Sequence, residues 1–163
     1  MIEAATRLHQ GESDVKRIVI IIPSSFVFQP AIRDFTLAMG CSLTGCNAQW
    51  ACRFQMIVDE LCNNAIEHGS ALGEDIALSF YSKSDAWFEV VVEDNGNGAH
   101  PAKAAELTTL MQTKKAQAQS VVRGLRGRGL AHIVAKWTDE LEFTDRTGGG
   151  MMVRARVNAA HIS

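Results

Sequence analysis

At 163 residues the chain is long enough for one domain with a genuine core and too short for two comfortable ones. Its 47% apolar and 21% charged residues exclude an intrinsically disordered chain. A net charge of −2 argues against a dedicated nucleic-acid binder, and the apolar run "IVIIIP" is far too short to span a bilayer.

Residues 1–16 are mixed and polar and read as an N-terminal arm. "RIVIIIP" (17–23) is β-branched and closed by Pro23, the pattern of a strand. "QPAIRDFTLAMG" (29–40) places Pro30 near its start and Gly40 at its end, which predicts a helix. A longer helix is expected from about Asn47 to His68, stopping at Gly69. "DIALSFYSK" (75–83) and "AWFEVVVED" (86–94) alternate as two paired strands. The segment 99–126 is Ala-, Gln- and Lys-rich with weak periodicity, as expected of a mobile lid or insert. A short helix is predicted to begin near "GRGLAHIVAKW". The strand "ELEFTD" (140–145), the turn "RTGGG" and the strand "MMVRARV" (151–157) follow, with 159–163 as a tail. The order of elements predicts an α+β sandwich: a mixed, mostly antiparallel sheet with helices on one face.

The four cysteines, Cys41, Cys46, Cys52 and Cys62, contain no CxxC pair. Cys52 and Cys62 fall in a helical pattern and read as small apolar residues rather than zinc ligands. No signal peptide opens the chain, so a reduced, cytoplasmic protein is expected.

The long helix carries more polar residues than its core role requires. Phe54, Ile57, Val58, Leu61, Cys62, Ala65 and Ile66 define one apolar face. Asp59, Asn63 and Glu67 point away from it. Glu60, Asn64 and His68 form a second row at the edge of the buried arc. Such a row is either a polar border satisfied by i,i+4 hydrogen bonds or the floor of a cleft. A glutamate there can take a proton from a nucleophile, and an asparagine oxygen is a hard ligand suited to Mg²⁺.

Two glycine clusters bear on that choice. "VVVEDNGNG" (90–98) ends a strand and sets Asp94, Gly96 and Gly98 in a turn. A carboxylate fixed at a strand end can accept a hydrogen bond from an exocyclic amine such as adenine's, and the glycines let backbone approach a flat ligand. "RGLRGRGLAHI" (123–133) leaves backbone N–H groups at a helix start, where phosphate is favoured. Between residues 99 and 130, Lys103, Lys114, Lys115, Arg123, Arg126 and Arg128 face only Glu106. That charge balance suits a triphosphate, although no GxxxxGK[ST] P-loop occurs.

Together and in this order the motifs resemble the GHKL ATPase superfamily, which includes gyrase, histidine kinases and MutL. "ELCNNAIEHG" is similar to the helix motif with Glu60 and Asn64 in its key places. "DNGNG" is similar to the first glycine box and "GRGL" to the second, while "RTGGGMMVRA" resembles the glycine turn before the closing strand. The resemblance spans roughly residues 17–157, and a single domain of this kind is expected over 17–158, with an ATP lid about 99–126. The "NAIEHG" ending and the chain's size look most like bacterial anti-sigma factors that are serine-protein kinases.

The resemblance implies ATP and Mg²⁺ as cofactors. It implies Glu60 as general base, Asn64 as magnesium ligand and Asp94 as reader of the adenine amine. Gly96, Gly98, Gly127, Gly129 and Leu130 would supply close backbone contacts, with Arg126 or Arg128 near the phosphates. His68 would support the site from the helix end. The implied partners are a sigma factor and a STAS-domain antagonist, with homodimerisation common in the family and no role for nucleic acid or membrane. A nucleotide-gated or nucleotide-free binding module and a plain ATPase are the alternatives. Two departures stand out: Ala99-His100-Pro101 follows the first glycine box, and Met151-Met152 stands where relatives often have Thr beside the final glycine turn.

Overall fold

The computed structural model describes residues 9, 11–43, 48–83, 86–99, 102–117 and 137–158. Five strands form one sheet: β1 (Val15–Pro23), β2 (Asp75–Lys83), β3 (Trp87–Glu93), β4 (Glu140–Asp145) and β5 (Met151–Asn158). Their spatial order is β1-β2-β3-β5-β4, and every pairing is antiparallel. The helices are α1 (Gln29–Leu43), α2 (Ala48–Asn64) and α3 (Ala104–Gln117), and α2 continues into a π-helical turn over Ala65–Gly69.

Alternation along each strand separates two different faces. Ile76, Leu78 and Phe80 of β2, Phe88, Val90 and Val92 of β3 and Ala155 and Val157 of β5 meet Trp50, Phe54, Ile57, Val58 and Leu61 of α2 in the main core. The Phe54 ring stands edge-on to Phe88 at 4.4 Å between centroids. Phe35 and Leu37 of α1 pack partly buried against this core. The other face of the sheet holds a small apolar patch of Tyr81, Val91 and Met152, together with two buried glutamates, Glu89 and Glu93.

The expected α+β architecture is therefore the observed one, with strand bounds within two residues of those read from the pattern. Two expectations are corrected. Cys52 is exposed, because it lies on the solvent side of α2, whereas Cys62 is buried and its thiol is pushed up to about 12 by desolvation. The stretch expected as a weakly periodic lid contains helix α3. Of its large apolar side chains only Leu107 and Met111 turn inward, Leu110 staying exposed, while the Thr108, Thr109 and Thr113 hydroxyls bond back to carbonyls four residues earlier. An apolar stripe that narrow leaves almost no periodic signal, but Ala, Gln and Lys are good helix formers. The helix start is fixed by Asp145 Oδ1, which accepts from the Ala104 N–H at 3.1 Å. The N-terminal arm up to residue 8, the later part of the expected lid and the tail 159–163 lie outside the described residues. So does the helix expected near "GRGLAHIVAKW", apart from Trp137, which packs partly buried on the core.

Candidate nucleotide-binding site

The C-terminal end of α2, the end of β3 and the turn between β4 and β5 meet around one cavity of about 420 Å³. Asn64, His68 and Gly69 line it from the helix, Asp94 and Gly96 from the β3 end, and Gly149, Gly150 and Met151 from the turn. Leu107 of α3 and Phe143 of β4 add apolar wall, and Lys103 adds a cation just before α3. A flat apolar chamber with a few convergent polar groups is the form expected of a cofactor pocket.

Asp94 is the best-fixed polar group in it. Only 9% of the residue is exposed. Its Oδ1 accepts the N–H groups of Gly96 at 2.9 Å and of Met151 at 3.0 Å. Its own N–H donates to Met151 O at 3.0 Å. Burial pushes the carboxyl above the ordinary aspartate range, against those two N–H bonds and the nearby Arg146 guanidinium. The Met151 donor is a backbone N–H, so this anchor of the carboxylate does not depend on the side chain at position 151.

Three glycines make the approach possible. A Cβ on Gly69 would lie 2.4 Å from both Cγ and Oδ2 of Asp94, and one on Gly98 would lie 2.3 Å from His68 O. Gly96 has φ +68°, and a Cβ there would meet the Gly150 N at 2.3 Å. Helix end and strand end are further tied by Gly98 N–H to Gly69 O at 3.3 Å and by Asn95 N–H to Ser70 Oγ at 3.0 Å. The π-turn serves the same end. Ser70 N–H bonds Ala65 O at 2.9 Å, five residues back, and the widened last turn carries Gly69 against the carboxylate.

Asn64 is half-buried, and its Nδ2 donates to Glu60 O at 2.6 Å. That bond leaves Oδ1 as the atom able to face a cation. Among the described residues no cluster of three or more His, Cys, Asp or Glu side chains could hold a metal unaided. The donor set still suits Mg²⁺, which is commonly held by one or two protein oxygens plus substrate phosphates. Glu60, one helical turn earlier, is half-buried and does not line the cavity. Desolvation raises its carboxyl above the ordinary range, with Asp59 and Glu67 adding to the effect.

Of the residues singled out from sequence, Asn64, Asp94 and Gly96 line one cavity, Gly98 packs beside it and Glu60 stands a turn away. Arg126, Gly127, Arg128, Gly129 and Leu130 lie outside the described residues. His68 lines the cavity but is exposed. Sequence reasoning treated Gly69 only as a helix stop and gave Lys103 no individual role. Arg146 was read only as the first letter of a turn.

The sequence profile described as a histidine kinase-like ATPase domain matches residues 29–157, which covers both the helix motif and the glycine turns. A domain of this family implies ATP binding. No curated protein matches the chain. Among the described residues no helix is long and apolar enough to cross a membrane.

Proposed function

Because the chain belongs to the histidine kinase-like ATPase family, we propose that it is an ATP-dependent serine-protein kinase that acts as an anti-sigma factor. In this reading it works in the cytoplasm, binds a sigma factor and phosphorylates a STAS-domain antagonist. The observation that carries the reading is the meeting of Asn64 and Asp94 in one cavity, each with one side-chain oxygen left for a ligand. Asp94 Oδ2 would accept from the adenine amine. Asn64 Oδ1 would hold the Mg²⁺ that bridges and neutralises the phosphates. Lys103 adds a positive charge at the cavity wall.

In the transfer step a serine hydroxyl of the partner attacks the γ-phosphorus, the bond to the β-phosphate oxygen breaks, and ADP leaves. The hydroxyl proton passes to Glu60, whose raised carboxyl pKa makes it a stronger base than an ordinary glutamate. Phosphoryl transfer asks mainly for such positioning and charge neutralisation. The sequence resemblance also supports the kinase branch and, with it, a homodimer.

One observation favours a second reading. Glu60 stands outside the cavity wall, as a protein that binds nucleotide and partner without transferring phosphate would tolerate. Incubation with labelled ATP, Mg²⁺ and a STAS-domain protein separates the two. The kinase reading expects label on serine, lost in Glu60→Gln with ATP binding retained. Tight partner binding with no transfer would establish the binding module instead, and phosphate release without an acceptor would establish a plain ATPase.

A further inference from the structure

Glu93 is a buried acid with an unusual lack of support. It is fully buried on the sheet face opposite the helices, one residue before Asp94. Among the described residues neither of its carboxylate oxygens has a hydrogen-bond partner. Its countercharge is Arg146, whose Nε lies 3.3 Å from Oε1, close enough for an ion pair but misaligned for a hydrogen bond. An arrangement this poor costs free energy in a buried setting, so it calls for a compensating role.

The other end of the same guanidinium shows what that role is. Arg146 Nη1 donates to the backbone carbonyl of Asp94. The backbone of Arg146 meanwhile closes the glycine turn, since its N–H donates to Gly150 O at 3.0 Å and its carbonyl accepts from Gly149 N–H at 3.1 Å. Gly150, at φ +84°, is pressed so close to the Asp94 carbonyl that a Cβ there would sit 2.1 Å from the oxygen. Beyond it, Met151 N–H reaches the Asp94 carboxylate.

We infer that Arg146, oriented by Glu93, is a positioning residue for base recognition: it clamps the glycine turn onto the Asp94 carbonyl so that Met151 N–H holds one carboxylate oxygen and the other faces the base amine. The clamp grips Asp94 by its backbone carbonyl and leaves the carboxylate to Met151 and Gly96. This inference rests on the nucleotide reading of the cavity and adds to it a specificity determinant outside the cavity wall.

The test compares affinities for ATP and for inosine triphosphate, which carries a carbonyl oxygen in place of the exocyclic amine. Wild-type protein should prefer ATP, and Arg146→Met should narrow that preference about tenfold, the scale of one well-placed hydrogen bond. Arg146→Met also strands the Glu93 carboxylate, so Glu93→Gln/Arg146→Met removes both buried charges and keeps the question open if the single variant unfolds. The double variant should recover thermal stability yet retain the narrowed preference. Arg146→Lys, which keeps the charge but not the fork, should recover part of it. Equal loss of affinity for both nucleotides, or an unchanged preference in a folded variant, would overturn the inference while leaving the nucleotide reading intact. Failure of the wild-type protein to bind ATP at all would overturn the nucleotide reading, and the inference with it.

Discussion

Strand β3 carries two glutamates four residues apart, on the same face and both fully buried, yet they live in opposite circumstances. Glu89 is saturated. Its Oε2 accepts from Arg154 at 3.0 Å and from Arg156 at 2.8 Å, and its Oε1 meets His9 Nε2 at 2.8 Å. Arg154 also reaches Glu140 and Glu142, and Arg156 stacks over Trp87 at 4.3 Å. Glu93 has a misaligned Arg146 beside it, Arg17 farther off, and no hydrogen bond among the described residues. The difference follows position along the strand. Glu89 lies within the strand, where β5 brings two arginines and His9 closes over it, and Glu93 lies at the strand end that builds the cavity. The two show that this sheet spends its polar support on structure at one end and tolerates an undersupported charge next to the cavity at the other.

The contrast can be broken most forcefully at the glycines that let the cavity end exist. Gly150→Ala should cost about 2–4 kcal/mol in denaturant unfolding and abolish nucleotide binding, since the residue has φ +84° and no room beside Asp94 O. A loss below about 1 kcal/mol would mean that the two turns are not locked as described.

Next comes the saturated node. Glu89→Gln leaves two arginines without their shared carboxylate, and urea unfolding should register about 3 kcal/mol of lost stability. Nucleotide affinity of the folded fraction should change less than about twofold, because the node lies at the other end of the strand. Glu93→Gln removes a charge that burial already disfavours, so its stability cost should be smaller, about 1 kcal/mol or less.

The pH response sharpens the same distinction. Burial raises the carboxyl pKa values of Glu60, Glu93 and Asp94 in the folded protein above their ordinary values of 4.5, 4.5 and 3.8. The folded state therefore holds these protons more tightly than the unfolded chain. As pH climbs from those ordinary values through the raised ones, these groups withdraw stability. Nucleotide binding should move the other way and strengthen over the rise, as Asp94 ionises to accept the base amine. Calorimetric titrations of ATP across the range would show it, and in Asp94→Asn the pH dependence of binding should flatten as affinity falls. A comparably small effect is expected at Ser70→Ala. Removing the hydroxyl that accepts from Asn95 N–H should cost about 1 kcal/mol in thermal unfolding and soften the turn only slightly.

Much of this molecule was written in local pattern. β-Branching marked β1, alternation marked β2 and β3, and the spacing of Phe54, Ile57, Val58 and Leu61 located the buried face of α2. The order of the polar helix row and the glycine boxes carried the family, because Asn64, Asp94 and Gly96 need particular chemistry at particular offsets. Helix α3 was hidden for the opposite reason: its inward stripe is two residues, and its start depends on Asp145, some forty positions away.

The sequence by itself determined the strands, the amphipathic helices and the residue types gathered for a nucleotide, since each follows from periodicities and turn chemistry within a few residues. Only the tertiary structure decided what holds Asp94 in place. Its supports are Gly69 from a helix end, Met151 N–H from the far side of a turn, and Arg146 braced on Glu93. Those contacts join residues up to 57 positions apart, and two of the atoms they use, Met151 N–H and the Asp94 carbonyl, are backbone groups that every residue of their kind possesses and that leave no mark in the letters of the sequence.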